Sequence, residues 1–345
     1  MQKNYSYGNI RSDIYNENSN KNNEPLQFRQ SPLKKFALAT GLTIFAYILA
    51  SELIGYFAAG NEAIIDLYKN NYYFRTSFTV IMSLLMILVP FFVLFLITGR
   101  KDRTVLRVFE KKPPLNLLPF IIIIGFAVIF ISNYATTLIT MWLKPFGIVA
   151  QAPTGEQNLS GASMILFELF GTAVVPAVIE EFAIRGVLLQ WLRKYGDTFA
   201  IIASSVVFGL MHMNFVQFIF ATLLGIFMSY VVIQTESIWT GIAIHFCNNA
   251  YSVLMSVVSQ RMPEEKYTSL FLVLVFAIMI GAIISLVVLS KHSKEFKPLK
   301  NPGKTKSLKA SYRKLAMKTY LLHPILFIAI LLMIYNMKSS ITFNF

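Results

Sequence analysis

Long apolar runs recur along nearly the whole chain, near 36–59, 76–98, 117–143, 160–190, 198–213, 215–234, 237–260, 269–290 and 319–337. A helix needs roughly 20 apolar residues to cross the hydrocarbon core. The lipid interior also demands that backbone groups be satisfied within each segment. The chain therefore reads as an all-α, polytopic transmembrane helical bundle of about eight to nine spans. Composition agrees: of 345 residues, 55% are hydrophobic and only 14% charged, which leaves no room for a large soluble domain. The joints at Asn214 and Thr235 are so short that the segments flanking them must form tight helical hairpins.

The ends differ from this pattern. Residues 1–33 are polar, with Asn16, Asn18, Asn20, Asn22 and Asn23 among them, and cannot bury enough apolar surface to fold, so a disordered cytoplasmic tail is expected there. The first apolar run begins at Phe36 and is long enough to span, so it reads as a retained helix rather than a secretory signal. A transmembrane domain over 34–292 follows, then a basic loop over 293–318, then an additional transmembrane helix with the C-terminus over 319–345.

The net charge of +14 has to be placed before it can be interpreted. Arg100, Lys101, Arg103, Arg107, Lys111 and Lys112 crowd one loop, and nine Lys and Arg residues between Lys291 and Lys314 crowd another. With alternating spans, both loops and the Arg193/Lys194 turn fall on one side, together with the N-terminus. The positive-inside rule makes that side cytoplasmic. The chain is thus expected to be an integral, multi-pass membrane protein, of the cell membrane if bacterial. Its basic loops face an anionic cytoplasmic leaflet and not nucleic acid. Cys247 is the lone cysteine, which excludes an internal disulfide and a cysteine-based metal site.

Against this apolar background, Glu180, Glu181 and Arg185 stand close together on one segment. Ionisable groups at membrane depth are costly and mark functional sites by default. Residues four apart share a helix face, so Glu181 matches Arg185 while Glu180 points about 100° away. Glu180 is then the free carboxylate suited to proton transfer, with Glu181 and Arg185 supporting it. Counting residues from a turn near Gly196 brings Glu180 level with His212. His245 lies nearer its own turn at Thr235, and the depths agree only if the 180–212 hairpin extends further. His245 and Asn249 share a face at i, i+4 and can donate two hydrogen bonds to one point, as an oxyanion hole does. Phe208, four before His212, can wall the site or orient the imidazole. Glu52, Glu168 and Glu236 also lie near or within spans, but have no evident partner and read as packing or interfacial residues. Pro176 and the Gly186–Leu189 run bracket the glutamates.

The ordered set Glu180-Glu181-x-x-x-Arg185, Phe208-x-x-x-His212 and His245-x-x-x-Asn249 resembles the CPBP family of intramembrane proteases, named for CAAX proteases and bacteriocin-processing enzymes and also called Abi-like. The resemblance covers roughly residues 160–255. It implies a helical fold of the eight-helix type with a cavity open to the cytosol, and an endopeptidase acting on a membrane-embedded or lipid-anchored peptide or protein substrate. It also implies that Glu180 and His212 activate the attacking water while His245 and Asn249 hold the oxyanion. Cofactors stay open: Glu180, His212 and His245 can supply three zinc ligands, but Asn249 is a poor zinc ligand and fits hydrogen bonding better, which favours a metal-free site. Two readings from other classes remain. A secondary transporter also places Glu and His at midplane but often shows internal repeats, and no second copy of the motif is present. A noncatalytic scaffold or bacteriocin-immunity protein would bind a transmembrane partner with the same residues.

Overall fold

The structure is a computed structural model that describes residues 30–152, 159, 161–292, 299–300 and 306–343. The expected tail over 1–29, and residues 293–298 and 301–305 of the expected basic loop, lie outside the described residues. Ten helices precede the basic loop: α1 (Gln30–Ala59), α2 (Glu62–Asn70), α3 (Tyr72–Thr98), α4 (Arg103–Glu110), α5 (Leu118–Leu143), α6 (Ala162–Tyr195), α7 (Asp197–Met211), α8 (Phe215–Thr235), α9 (Ile238–Arg261) and α10 (Glu264–Lys291). Two further helices are α11 (Lys306–Leu321), which overlaps the expected basic loop, and α12 (Pro324–Asn336). A two-stranded ribbon joins β1 (Ile148–Ala150) to β2 (Ile341–Phe343), antiparallel, with Val149 opposite Thr342.

Among the described residues, seven helices are long and apolar enough to span, or eight if α11 and α12 count as one span bent by 76°. The sequence expectation of eight to nine meets this range at its lower end for two reasons. Helix α7 has only 15 residues, about 22 Å at 1.5 Å per residue, against a hydrocarbon core of about 30 Å. The last apolar run is broken at Leu322 and His323, where Pro324 starts a new helix. The basic loop is also partly helical, since α11 begins at Lys306.

Side-chain caps fix several helix starts. Asn61 accepts from the Ile64 N–H, Asn71 from the Phe74 N–H and Asn214 from the Gln217 N–H, each satisfying a donor that the first turn leaves free. Gly196, with φ 123°, makes the sharp reversal between α6 and α7, a backbone setting that side chains rarely tolerate. Gly209 lets α7 and α8 close on each other: a Cβ there would lie 2.7 Å from the Phe218 carbonyl.

The main core gathers around α6 and α7 and reaches α1, α11 and α12. Phe36 stacks on Trp191 with ring centroids 3.8 Å apart, and Tyr320 meets the Phe199 ring edge-on. Helix α12 runs beside α1 and ends near α7, where the Asn336 amide donates to Glu52 and Ser340 accepts from the Phe215 N–H. The C-terminal segment is thus built into the bundle and helps hold the turn that follows His212.

Candidate active site

Two short π-helical segments, Leu169–Val174 and Phe182–Leu188, flank Glu180 and Glu181 on α6. Such insertions shift the register of the residues beyond them and recur at functional sites. Between them Val175–Glu181 is regular α-helix, so the two glutamates point about 100° apart. Glu181 turns into the bundle, where its Oε1 accepts from Arg185 Nη1 at 2.6 Å, and both side chains are 0% exposed. Glu180 keeps 19% of its side chain exposed and lines a cavity of about 400 Å³.

Arg185 is held on three sides. It donates to Glu181 and to the Gly225 carbonyl (3.3 Å), and its guanidinium lies 4.4 Å from the Phe208 ring centroid. A buried charge without such partners would be costly. Phe208 in turn stands edge-on to both imidazoles, 5.0 Å from His212 and 5.9 Å from His245. A single aromatic ring therefore spaces the two histidines and rests on the paired arginine.

His212 Nδ1 lies 3.0 Å from the Phe208 carbonyl. A carbonyl only accepts, so this nitrogen carries the proton and Nε2 is left as an acceptor. His245 Nδ1 lies 3.1 Å from Glu181 Oε1, and its Nε2 lies 3.8 Å from Glu180 Oε2. The second separation is too long for a hydrogen bond, and Glu180 Oε2 has no hydrogen-bond partner. These contacts bring His245 level with the glutamates. The 180–212 hairpin accordingly runs further than the one around Thr235, with its polar end closed by Arg193–Asp197 and Lys194–Asp102 ion pairs.

Asn249 joins the same cavity as Glu180, His212 and His245. Its amide donates to the Thr172 carbonyl at 3.0 Å, and its Oδ1 accepts from Asn248 at 2.8 Å. The Thr172 carbonyl is available because residue 176, four positions on, is Pro176 and has no N–H to offer it. One Asn249 N–H remains for a ligand.

Every site residue expected from the sequence is found in one place, with Glu180, His212, His245, Asn249 and Phe208 on the cavity wall and Glu181 and Arg185 behind it. Sequence reasoning missed Thr172, Asn248, Gly225 and Gly241. A Cβ at Gly241 would lie 2.6 Å from Glu181 Oε2, so only glycine lets α9 come this close. Its spacing four before His245 was a usable signal. The carboxylates left aside each have a partner: Glu168 accepts from Tyr72, Glu236 pairs with Arg107 and Lys111, and Glu52 accepts from Asn336.

A zinc ion needs three protein donors converging on one point. Among the described residues no group of three or more His, Cys, Asp or Glu side chains is so arranged. The donor set does not fit a zinc centre in this arrangement.

On α6 the cavity wall runs from Glu180 through Pro176 to Thr172, on α8 from Met228 to Gln217, and on α9 from His245 to Ser252 and Val253. All three stretches lead away from the turns at Gly196 and Thr235.

Comparison with known proteins bears on this site directly. Residues 162–251 match the family described as "Type II CAAX prenyl endopeptidase Rce1-like", a span that contains all three motifs. The chain is 24% identical over 125 residues to the "Putative membrane peptidase YdiL" of Bacillus subtilis (strain 168), covering 36% of this chain and 51% of that protein. It thus spans about half the length of the curated relative it matches. No solved structure matches the chain. The matched segment, which carries the Glu-Glu-x-x-x-Arg, Phe-x-x-x-His and His-x-x-x-Asn motifs around one cavity in a multi-pass helical bundle, is thus similar to CAAX-type membrane endopeptidases of the CPBP family.

Proposed function

We propose that this protein is an intramembrane endopeptidase that hydrolyses a peptide bond in a membrane-embedded or lipid-anchored substrate, using water activated by Glu180 and His212. One observation carries the reading: of two adjacent glutamates, Glu181 is sealed behind the wall on Arg185, while Glu180 faces a cavity shared with His212, His245 and Asn249. A paired carboxylate is structure; an unpaired one beside two imidazoles is equipped for proton transfer.

The step runs through this chain's own groups. A water in the cavity gives its proton to the Glu180 carboxylate while donating its second hydrogen bond to Nε2 of His212, whose Nδ1 lies 3.0 Å from the Phe208 carbonyl. The water oxygen forms a bond to the scissile carbonyl carbon, and the C=O electrons move onto oxygen. That oxyanion accepts from the remaining Asn249 N–H and from a ring N–H of His245, whose Nδ1 lies 3.1 Å from Glu181 Oε1. As the carbonyl re-forms, the C–N bond breaks and the leaving nitrogen takes the proton from Glu180. No step runs through a metal. The basic loops contact the anionic lipid headgroups of the cytoplasmic leaflet.

Glu180→Gln keeps the shape but cannot accept the proton. With protein reconstituted in liposomes and a fluorogenic peptide library, it should lose about 10²–10⁴-fold in turnover. Turnover equal to wild type would reject the assignment.

A further inference from the structure

His212 follows the last residue of α7, and the way that helix ends fixes where the imidazole sits. An α-helix leaves its last four carbonyls without intrahelical donors. In α7 these belong to Phe208, Gly209, Leu210 and Met211, and each has a donor. The Gly209 carbonyl accepts from the His212 N–H at 3.2 Å, and the Leu210 carbonyl from the Met213 N–H at 3.0 Å. The Phe208 carbonyl faces His212 Nδ1 at 3.0 Å, so the imidazole itself caps the helix that carries it. The Met211 carbonyl accepts from the Tyr47 hydroxyl of α1 at 2.7 Å.

The chain then turns on Met213, whose φ of 48° is a left-handed setting that a residue with a long side chain keeps only where its surroundings impose it. Much of that surrounding comes from outside residues 162–251, the stretch matched to CAAX-type endopeptidases. The Ser340 hydroxyl accepts from the Phe215 N–H at 2.9 Å and donates to the Met337 carbonyl at 2.7 Å. The Ser340 carbonyl accepts from the Gln151 N–H at 2.8 Å, and the Gln151 carbonyl from the Asn214 amide at 3.0 Å, which closes a ring of bonds around the turn. The Asn336 amide donates to Met213 Sδ at 3.5 Å. Tyr47 and Ser340 are both buried, so water has little access to replace either hydroxyl, and a backbone group that lost its partner there would go unsatisfied.

We infer that Tyr47 and Ser340 are positioning residues for His212, holding the turn from its two sides so that Nδ1 stays on the Phe208 carbonyl and Nε2 is left for the cavity that His212 shares with Glu180. Neither residue lines that cavity; each acts through the backbone on one side of His212, at Met211 or at Phe215. A misplacement of about 1 Å in a reacting group can cost on the order of 10²-fold in rate. The consequence for turnover rests on the protease reading; the setting of the ring does not.

The chain holds 4 histidines, so nuclear magnetic resonance of full-length protein carrying isotope-labelled histidine gives few ring signals, and His212→Gln identifies the one from His212. In the wild type that ring should carry its proton on Nδ1. Tyr47→Phe and Ser340→Ala should each move the signal toward the form protonated on Nε2, and should lower kcat about 10-fold or more while KM stays within about 2-fold. Ser339→Ala, at an exposed neighbour whose hydroxyl donates to the Asn336 carbonyl, should change neither. Tyr47→Phe keeps the ring in place and removes only the hydroxyl, so it decides the matter if Ser340→Ala does not fold. An unaltered His212 signal in both variants would overturn the inference. So would a lowered melting temperature with signal and kcat unaltered, since the two residues would then be structure alone. If the wild type turns over no peptide, the protease reading fails and the ring signal still decides the positioning.

Discussion

The packed region behind Glu181 and the cavity wall beside it hold the same kinds of side chain and use them in opposite ways. In the packed region and on toward the basic loops, charges are paired and buried or tied down: Arg185 on Glu181, Arg193 on Asp197, Arg107 and Lys111 on Glu236. On the cavity wall, Glu180, His212 and Asn249 face a shared space, and Glu180 has no cation paired with it as Arg185 is with Glu181. In an apolar interior a polar group is stabilised by its partner or kept for a ligand. The difference between scaffold and site is thus a matter of pairing and not of residue type.

Breaking the packed region should cost stability first. Arg185→Ala leaves the Glu181 carboxylate buried without its counter-ion and empties the space under Phe208. Loss of one partner of a buried pair costs about 3–5 kcal/mol, so thermal unfolding in detergent should fall steeply, and an unchanged melting curve would show that the pair does not hold the bundle. Gly241→Ala presses a methyl group onto Glu181 Oε2 and Val232. Overpacking of this kind costs about 1–3 kcal/mol, and it should lower turnover along with stability by moving His245. Activity unchanged at lowered stability would separate α9 packing from the site. Glu236→Gln removes a partner of two half-exposed cations and should change stability by about 1 kcal/mol or less. A larger loss in calorimetry would make these pairs more than a surface network.

Much of this comparison was legible in the sequence because helices impose fixed spacings. The offset of Glu180 from Glu181 and the pairing of Glu181 with Arg185 follow from 3.6 residues per turn. The level meeting of Glu180 and His212 follows from counting out from Gly196. What stayed hidden depends on neighbours that sequence distance does not reveal. Glu236 meets Arg107 and Lys111 across more than a hundred residues, and the Thr172 carbonyl is freed by a proline on its own helix for an asparagine on another. The shortness of α7 was masked because apolar residues continue to its end and the break comes only at Met213, at φ 48°. The cavity's direction needed the wall itself: each motif marks a depth, and only the residues between motifs show which way the space runs.

The contrast between Glu180 and Glu181 is the centre of this account, and one paired measurement tests it. Glu180→Gln and Glu181→Gln, purified and reconstituted side by side, are compared for peptide turnover and for thermal unfolding. Glu180→Gln should melt with the wild type and lose turnover, whereas Glu181→Gln should melt well below it and keep measurable turnover at temperatures where it stays folded. The reverse pattern, or equal loss of turnover in two variants that melt alike, would contradict the division of the two carboxylates into site and scaffold.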